Sequence, residues 1–194
     1  MKLLIISTGG WVGIGVAAAV VLILIIWFIV TYNKFVSLGT NCDDAFSGID
    51  VYLKKRFDLI PNLVETVKGY AKHESETFAK VTEARAKAMS ATTVSEKIAA
   101  DKELTTVLQG FRRVTENYPE LKANTNFLDL QAQLRNIENE LVNARKYYNA
   151  CVRELNKKIR SFPSLIVAKM MKEEKREFFA VEAPEERQNV KVQF

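Results

Sequence analysis

The sequence predicts an all-α protein in which an N-terminal transmembrane helix precedes an antiparallel bundle of three to four long helices. Three observations carry that expectation. Residues 11–30, WVGIGVAAAVVLILIIWFIV, contain no charged or amide side chain. About 20 such residues form a helix about 30 Å long, enough to cross the hydrocarbon core of a bilayer. Breakers are sparse afterwards: four of the 8 glycines fall within residues 9–15, and prolines occur only at 61, 119, 163 and 184. Such a chain favours long helices over strands joined by turns. Beyond residue 34, apolar residues return every three or four positions, the period of a helix with one buried face.

The apolar run reads as a retained anchor. Lys2 supplies the basic start of a signal peptide, but the run exceeds the roughly 7–15 residues of a signal core. Thr31-Tyr32-Asn33-Lys34 follows it, with no small-x-small cleavage pattern. Trp11, Trp27 and Tyr32 near its ends suit the interfacial belts of a membrane helix. One lysine flanks each side, Lys2 and Lys34, so charge alone leaves the orientation close to a tie. Gly9, Gly13 and Ala17 share one face, with Gly15 and Ala19 on another, a spacing that permits close helix approach and self-association. The expected organisation is an anchor at 1–34, a helical bundle at 35–180 and an extended tail at 181–194.

The first helix is expected to leave the membrane unbroken and reach about Lys72. Leu38, Cys42, Ala45, Ile49, Leu53, Phe57, Ile60, Val64, Val67 and Ala71 form its stripe. Pro61 lies inside it, removing a backbone donor and crowding the carbonyl of Phe57, at a cost of about 3 kcal/mol. A kink is expected there, with Asn62 placed to donate to a freed carbonyl. A turn follows within residues 72–76, with Ser75 as its cap. Phe78, Val81, Arg85 and Ala88 continue the pattern until Ser90-Ala91-Thr92-Thr93 interrupts it. Thr93-Val94-Ser95-Glu96 has the form of a capping box. Ile98, Leu104, Val107, Leu108, Phe111 and Val114 then run to about Asn117, so the second helix is either two segments or one with a weak middle. Pro119 marks another turn, and Asn124 or Asn126 caps the next helix. That helix carries the clearest heptad: Phe127, Leu130, Leu134, Ile137, Leu141, Ala144, Tyr148, Cys151, Leu155, Ile159 and Phe162. Asn149 and Asn156 flank this seam and suit a buried hydrogen-bond network. Pro163 ends it, residues 164–179 fit a short further helix, and Val190-Lys191-Val192-Gln193-Phe194 alternates like a strand.

Composition excludes several functions. Leaving out Lys2 and Lys34, the remainder has 26 basic against 23 acidic residues. We read that as a mild excess spread along the chain, with no basic cluster interleaved with aromatics and hence no nucleic-acid partner. A single histidine, His73, leaves a histidine metal cluster or catalytic pair without ligands. Glu-x-x-His is absent, and so is a Gly-rich phosphate loop. No catalytic, cofactor-binding or metal residues are expected, and no cofactor. Cys42 and Cys151 match no metal or redox spacing. In an up-down-up bundle they would lie tens of ångströms apart, too far for a disulfide.

Three blocks resemble the LemA family of bacterial membrane proteins. The first is Arg56-Phe57-Asp58-Leu59-Ile60-Pro61-Asn62-Leu63-Val64 with Val67-Lys68-Gly69-Tyr70-Ala71 and His73-Glu74. The second is Tyr118-Pro119-Glu120-Leu121-Lys122-Ala123-Asn124 with Asn126-Phe127. The third runs from Ala144-Arg145 through Tyr148-Asn149 to Val152, Asn156, Ile159 and Phe162-Pro163. Asn41-Cys42 departs from the pattern. The resemblance implies an N-terminal anchor in the bacterial inner membrane, a cytoplasmic helical domain and no enzymatic activity.

Function is therefore expected to be that of a non-enzymatic interaction or scaffold module. Its rivals are a self-associating, membrane-shaping protein and a ligand-binding or enzymatic bundle. Expected partners are the lipid bilayer, a membrane or cytoplasmic protein, and a second copy of the chain. The candidate partner-binding residues are Arg56, Asp58, Pro61 and Asn62 at the kink, with Tyr118, Pro119 and Asn124 in a turn placed at the membrane-proximal end. The bland reading of the first four is that they support the kink.

Overall fold

The computed structural model describes residues 8–179, with side chains from Trp11 onward except Val12. Within them lie six helices: α1 Thr8–Lys68, α2 Ser75–Ser90, α3 Val94–Glu116, α4 Pro119–Lys122, α5 Thr125–Arg160 and α6 Ser164–Met171. No strand occurs among the described residues. The tail expected at 181–194, with its strand-like end, lies outside them. The chain divides into two compact units. Among the described residues, an anchor-bearing unit holds 8–43 with 151–176, and a four-helix unit holds 44–150 with 177–179.

All ten residues of the expected α1 stripe, from Leu38 to Ala71, are buried, as are Phe35 and Leu63. In the four-helix unit, cross-contacts fix the helix directions. Asp50 pairs with Lys97 and Arg56 with Asp101, so numbers on α1 and α3 rise together. Arg56 also reaches Glu138, and the Phe46 and Tyr148 rings meet at 5.5 Å, so α5 runs against α1. Phe78 against Phe111 and Lys87 against Glu103 make α2 and α3 antiparallel. The order is up-down-up-down.

This corrects the expected three-helix order. Ser90-Ala91-Thr92-Thr93 is a full reversal, so α5 returns antiparallel to α1. The anchor-bearing unit registers the same fact: Cys42 and Cys151 lie close enough to feel each other's charge. They are not tens of ångströms apart. Both are free thiols, and burial pushes that of Cys42 up, opposed by Arg176.

Local signals account for the element ends. The capping box at α3 is complete: Thr93 Oγ1 accepts from Glu96 N at 3.2 Å, and Glu96 Oε2 accepts from Thr93 N at 3.0 Å. The Thr93 N–H bond to that carboxylate, with two more from Thr92 N and Oγ1, holds the Glu96 carboxyl down to about 2. Asn124 caps α5 through Phe127 N at 3.0 Å. Ser75 is the first residue of α2, and the cap position belongs to Glu74, whose side chain makes no capping bond.

The last helix is shorter than residues 164–179. Lys172 turns left-handed at φ 54°, and Glu173 N bonds back to Ala168 O at 3.0 Å, closing α6. Residues 173–179 are then irregular chain, held by asparagines on α5. In the anchor-bearing unit Asn156 Nδ2 donates to Arg176 O at 2.9 Å and its Oδ1 accepts from Arg176 N at 3.0 Å. In the four-helix unit Asn149 makes the same pair of bonds with Phe179, at 3.0 and 2.8 Å. Each carboxamide satisfies one residue's N–H and C=O, as a neighbouring strand would. The network foreseen for these asparagines is real, but its partner is this backbone strap, not another helix.

Candidate functional site

Heptad positions on three helices of the four-helix unit carry charge. Arg56 falls between Leu53 and Ile60 on the buried face of α1. Asp101 takes the same place before Leu104 on α3, and Arg145 lies between Leu141 and Tyr148 on α5. The side chains of Arg56 and Asp101 are 3% and 5% exposed. Arg56 Nη1 donates to Asp101 Oδ1 at 2.8 Å and to Thr105 Oγ1 at 3.1 Å, and Nη2 reaches Glu138 Oε1 at 3.4 Å. Arg145 Nη2 donates to the second oxygen, Asp101 Oδ2, at 2.5 Å. One carboxylate thus joins two guanidiniums from different helices, and Glu138 brings the cluster to neutrality.

Burial pulls the Arg145 guanidinium below the usual arginine range; Asp101 opposes that shift and Arg56 adds to it. Arg145 also lies 4.8 Å from the ring of Phe179, a cation–π contact that ties the strap to the network. The Nε atoms of Arg56 and Arg145 are buried without an acceptor. Both residues line one cavity of about 300 Å³. Leu63, Leu108, Phe111 and Leu134 supply apolar walls, and Arg112 and Arg135 add exposed cations. An apolar pocket edged by guanidiniums suits a ligand or segment with an apolar body and acceptor oxygens.

The sequence-predicted site residues separate into three places. Arg56 is interior. Asp58, Pro61 and Asn62 are exposed on α1. Asp58 faces Lys54 one turn away at 3.8 Å, and Asn62 contributes its carbonyl to Thr66 Oγ1 at 2.8 Å. Tyr118, Pro119 and Asn124 lie at the Lys68 end of α1. There Tyr118 OH points at Glu74 Oε1 at 3.5 Å, Pro119 opens α4, and Asn124 Nδ2 donates to Tyr70 OH at 3.0 Å. That turn therefore sits beside the α1–α2 connection, not at the membrane-proximal end. The carbonyl that Pro61 frees, Phe57 O, accepts from Arg85 Nε at 2.8 Å. Arg85, not Asn62, is the compensating donor.

Sequence reasoning missed Asp101, Glu138, Arg145 and Arg85 as partners. A signal existed: Arg56, Asp101 and Arg145 each sit at a seam position, where a charge needs a partner of opposite sign. Among the described residues no group of three or more His, Cys, Asp or Glu is placed to hold a metal ion.

Comparison with known proteins agrees with the fold and the motifs. The chain is 26% identical over 147 residues to protein LemA of Metamycoplasma hominis, covering 72% of this chain and 64% of that relative. The family model described as LemA family matches residues 45–194, which take in the four-helix unit, its arginine network and α6. Three sequence blocks, the helical architecture and that match make this chain a member of the LemA family.

Proposed function

We propose that the chain is a non-enzymatic interaction module held in the bacterial inner membrane by residues 11–30, with its helical units on the cytoplasmic side. The supporting observation is the first half of α1. Its most apolar window has a mean hydropathy of 3.0 and none of it is buried. A core helix would bury such a face, and a bilayer accepts it on all sides. The cytoplasmic placement is what the family resemblance implies.

The non-enzymatic reading is supported by how the seam is used. Leu, Ile, Phe and Val fill most of it, and both oxygens of its buried carboxylate are held by arginines. The surface for a membrane or cytoplasmic protein partner is the mouth of the arginine-lined cavity between α3 and α5. A photo-crosslinking side chain at Gln109 or Gln131, both lining that cavity, is expected to capture the same discrete adduct in native membranes. The same group at Lys54 on α1 is expected to capture none. Adducts from Lys54 alone would return the interface to the Asp58–Asn62 face, and no adduct from any position would contradict an interaction module.

A further inference from the structure

The anchor-bearing unit presents an apolar stripe to solvent. Phe162 is 81% exposed, Ile166 48% and Met170 66%. Spaced by four, they follow one side of the α5–α6 corner and of α6 itself. The other side of α6 is buried through Ser164, Val167 and Ala168. Burying large apolar groups is the main driving force available to a fold, so a stripe left open in this way calls for an apolar environment outside the protein.

Position and charge say which environment. Phe162 lines one surface pocket with Trp27 and Lys34, the residues that close the apolar run of α1, and with Lys157 and Lys158. Tryptophan and lysine are the side chains that mark the boundary between hydrocarbon and headgroups. A bilayer holding residues 11–30 would end at the level of this corner. Residues 151–176 contain eight Lys/Arg and three Asp/Glu, a net +5 that equals the net charge of the entire chain. The basic excess is not spread along the sequence; it is concentrated here, with Glu154, Glu173 and Glu174 as the acids within it. Lys169 is exposed between Ile166 and Met170, able to lay its stem on the apolar stripe and carry its ammonium to a headgroup.

We propose that α6 and the corner before it dock on an anionic phospholipid leaflet, with Phe162, Ile166 and Met170 at the acyl boundary and Lys157, Lys169 and Lys172 on lipid phosphates. An exposed apolar stripe flanked by lysines is an arrangement that seats on the interface of an anionic leaflet. The inference rests on the anchor reading and adds a second membrane contact to it, 130 residues away in sequence.

The test uses the full-length protein in vesicles of phosphatidylglycerol and phosphatidylcholine containing a phosphatidylcholine with a diazirine high on its acyl chain. After photolysis, adducts are located by mass spectrometry. Adducts are expected in residues 11–30 and in 162–170. Labelling of the anchor without α6 overturns the docking and leaves the anchor standing; absence of labelling in both overturns the anchor as well. Lys169→Gln and Lys172→Gln are each expected to lower α6 labelling about fivefold in these vesicles, with labelling of residues 11–30 unchanged as the internal reference. Equal α6 labelling of variants and parent would overturn the role of lipid phosphates.

Discussion

The two units treat charge in opposite ways. Residues 1–43 and 151–176 carry ten basic and four acidic residues, and the rest of the chain carries 18 and 19. The anchor-bearing unit is thus strongly cationic, and it leaves Trp11, Phe162, Ile166 and Met170 facing outward. The four-helix unit is close to neutral and takes two arginines and an aspartate into its seam. Its buried ion pairs, Arg56–Asp101 and Arg145–Asp101, join different helices, whereas in the first unit Arg176 meets Asp43 at the surface. One unit buries its charge among its own helices; the other keeps cations and an apolar stripe at its surface, as the proposed membrane contacts require.

Removing a carboxylate from each unit is the sharpest way to break this comparison. Asp101→Asn leaves two buried guanidiniums sharing only Glu138, and should cost about 3–5 kcal/mol. Asp43→Asn removes a partner that is 67% exposed at its side chain, and should cost less than about 1 kcal/mol. Denaturant unfolding of the two variants checks the ratio, and equal costs would erase the distinction between the units.

A smaller effect isolates the proline of α1. Arg85→Leu leaves the Phe57 carbonyl without its donor, for an expected loss of about 1–3 kcal/mol. Pro61→Ala restores a backbone N–H to that carbonyl, so in its background the same Arg85 change should cost about 1 kcal/mol less. A double-mutant cycle by thermal unfolding measures the coupling. Strict additivity would mean that Arg85 does not stand in for the missing amide.

Some of this was legible in the sequence. The α1 stripe could be read residue by residue, because a step of three or four depends only on the helix itself. The Thr93 box was legible for the same reason, and the α5 cap to within the choice of Asn124 or Asn126, which falls to Asn124. Helix direction was not: periodicity is blind to whether residues 90–93 bend a helix or reverse it, and that one reversal decides where Cys151, Tyr118 and Asp101 lie. The phase of α5 also slips toward its end. Val152 is buried where Cys151 was expected to be, and Phe162 leaves the seam altogether. Residues 173–179 hold only the adjacent Phe178 and Phe179 as apolar side chains, and Asn149 and Asn156 satisfy the backbone of Phe179 and Arg176 from outside, so tertiary bonds decide the path of this stretch. Of the candidate site, Arg56 was found through its motif, but its partners come from helices whose order the motif does not encode. The concentration of cations in 151–176 was in the sequence throughout, hidden by counting charge over the whole chain.

If residues 11–30 are an anchor, α1 enters a bilayer and stays there. Alkaline carbonate washing of membranes from cells making the full chain tests it most directly, because the wash strips proteins held by charge or by partners and leaves those that span. The full-length protein is expected to remain in the membrane pellet, with residues 11–30 present by mass spectrometry. Release of the protein into the supernatant, or recovery of a chain lacking those residues, would contradict it.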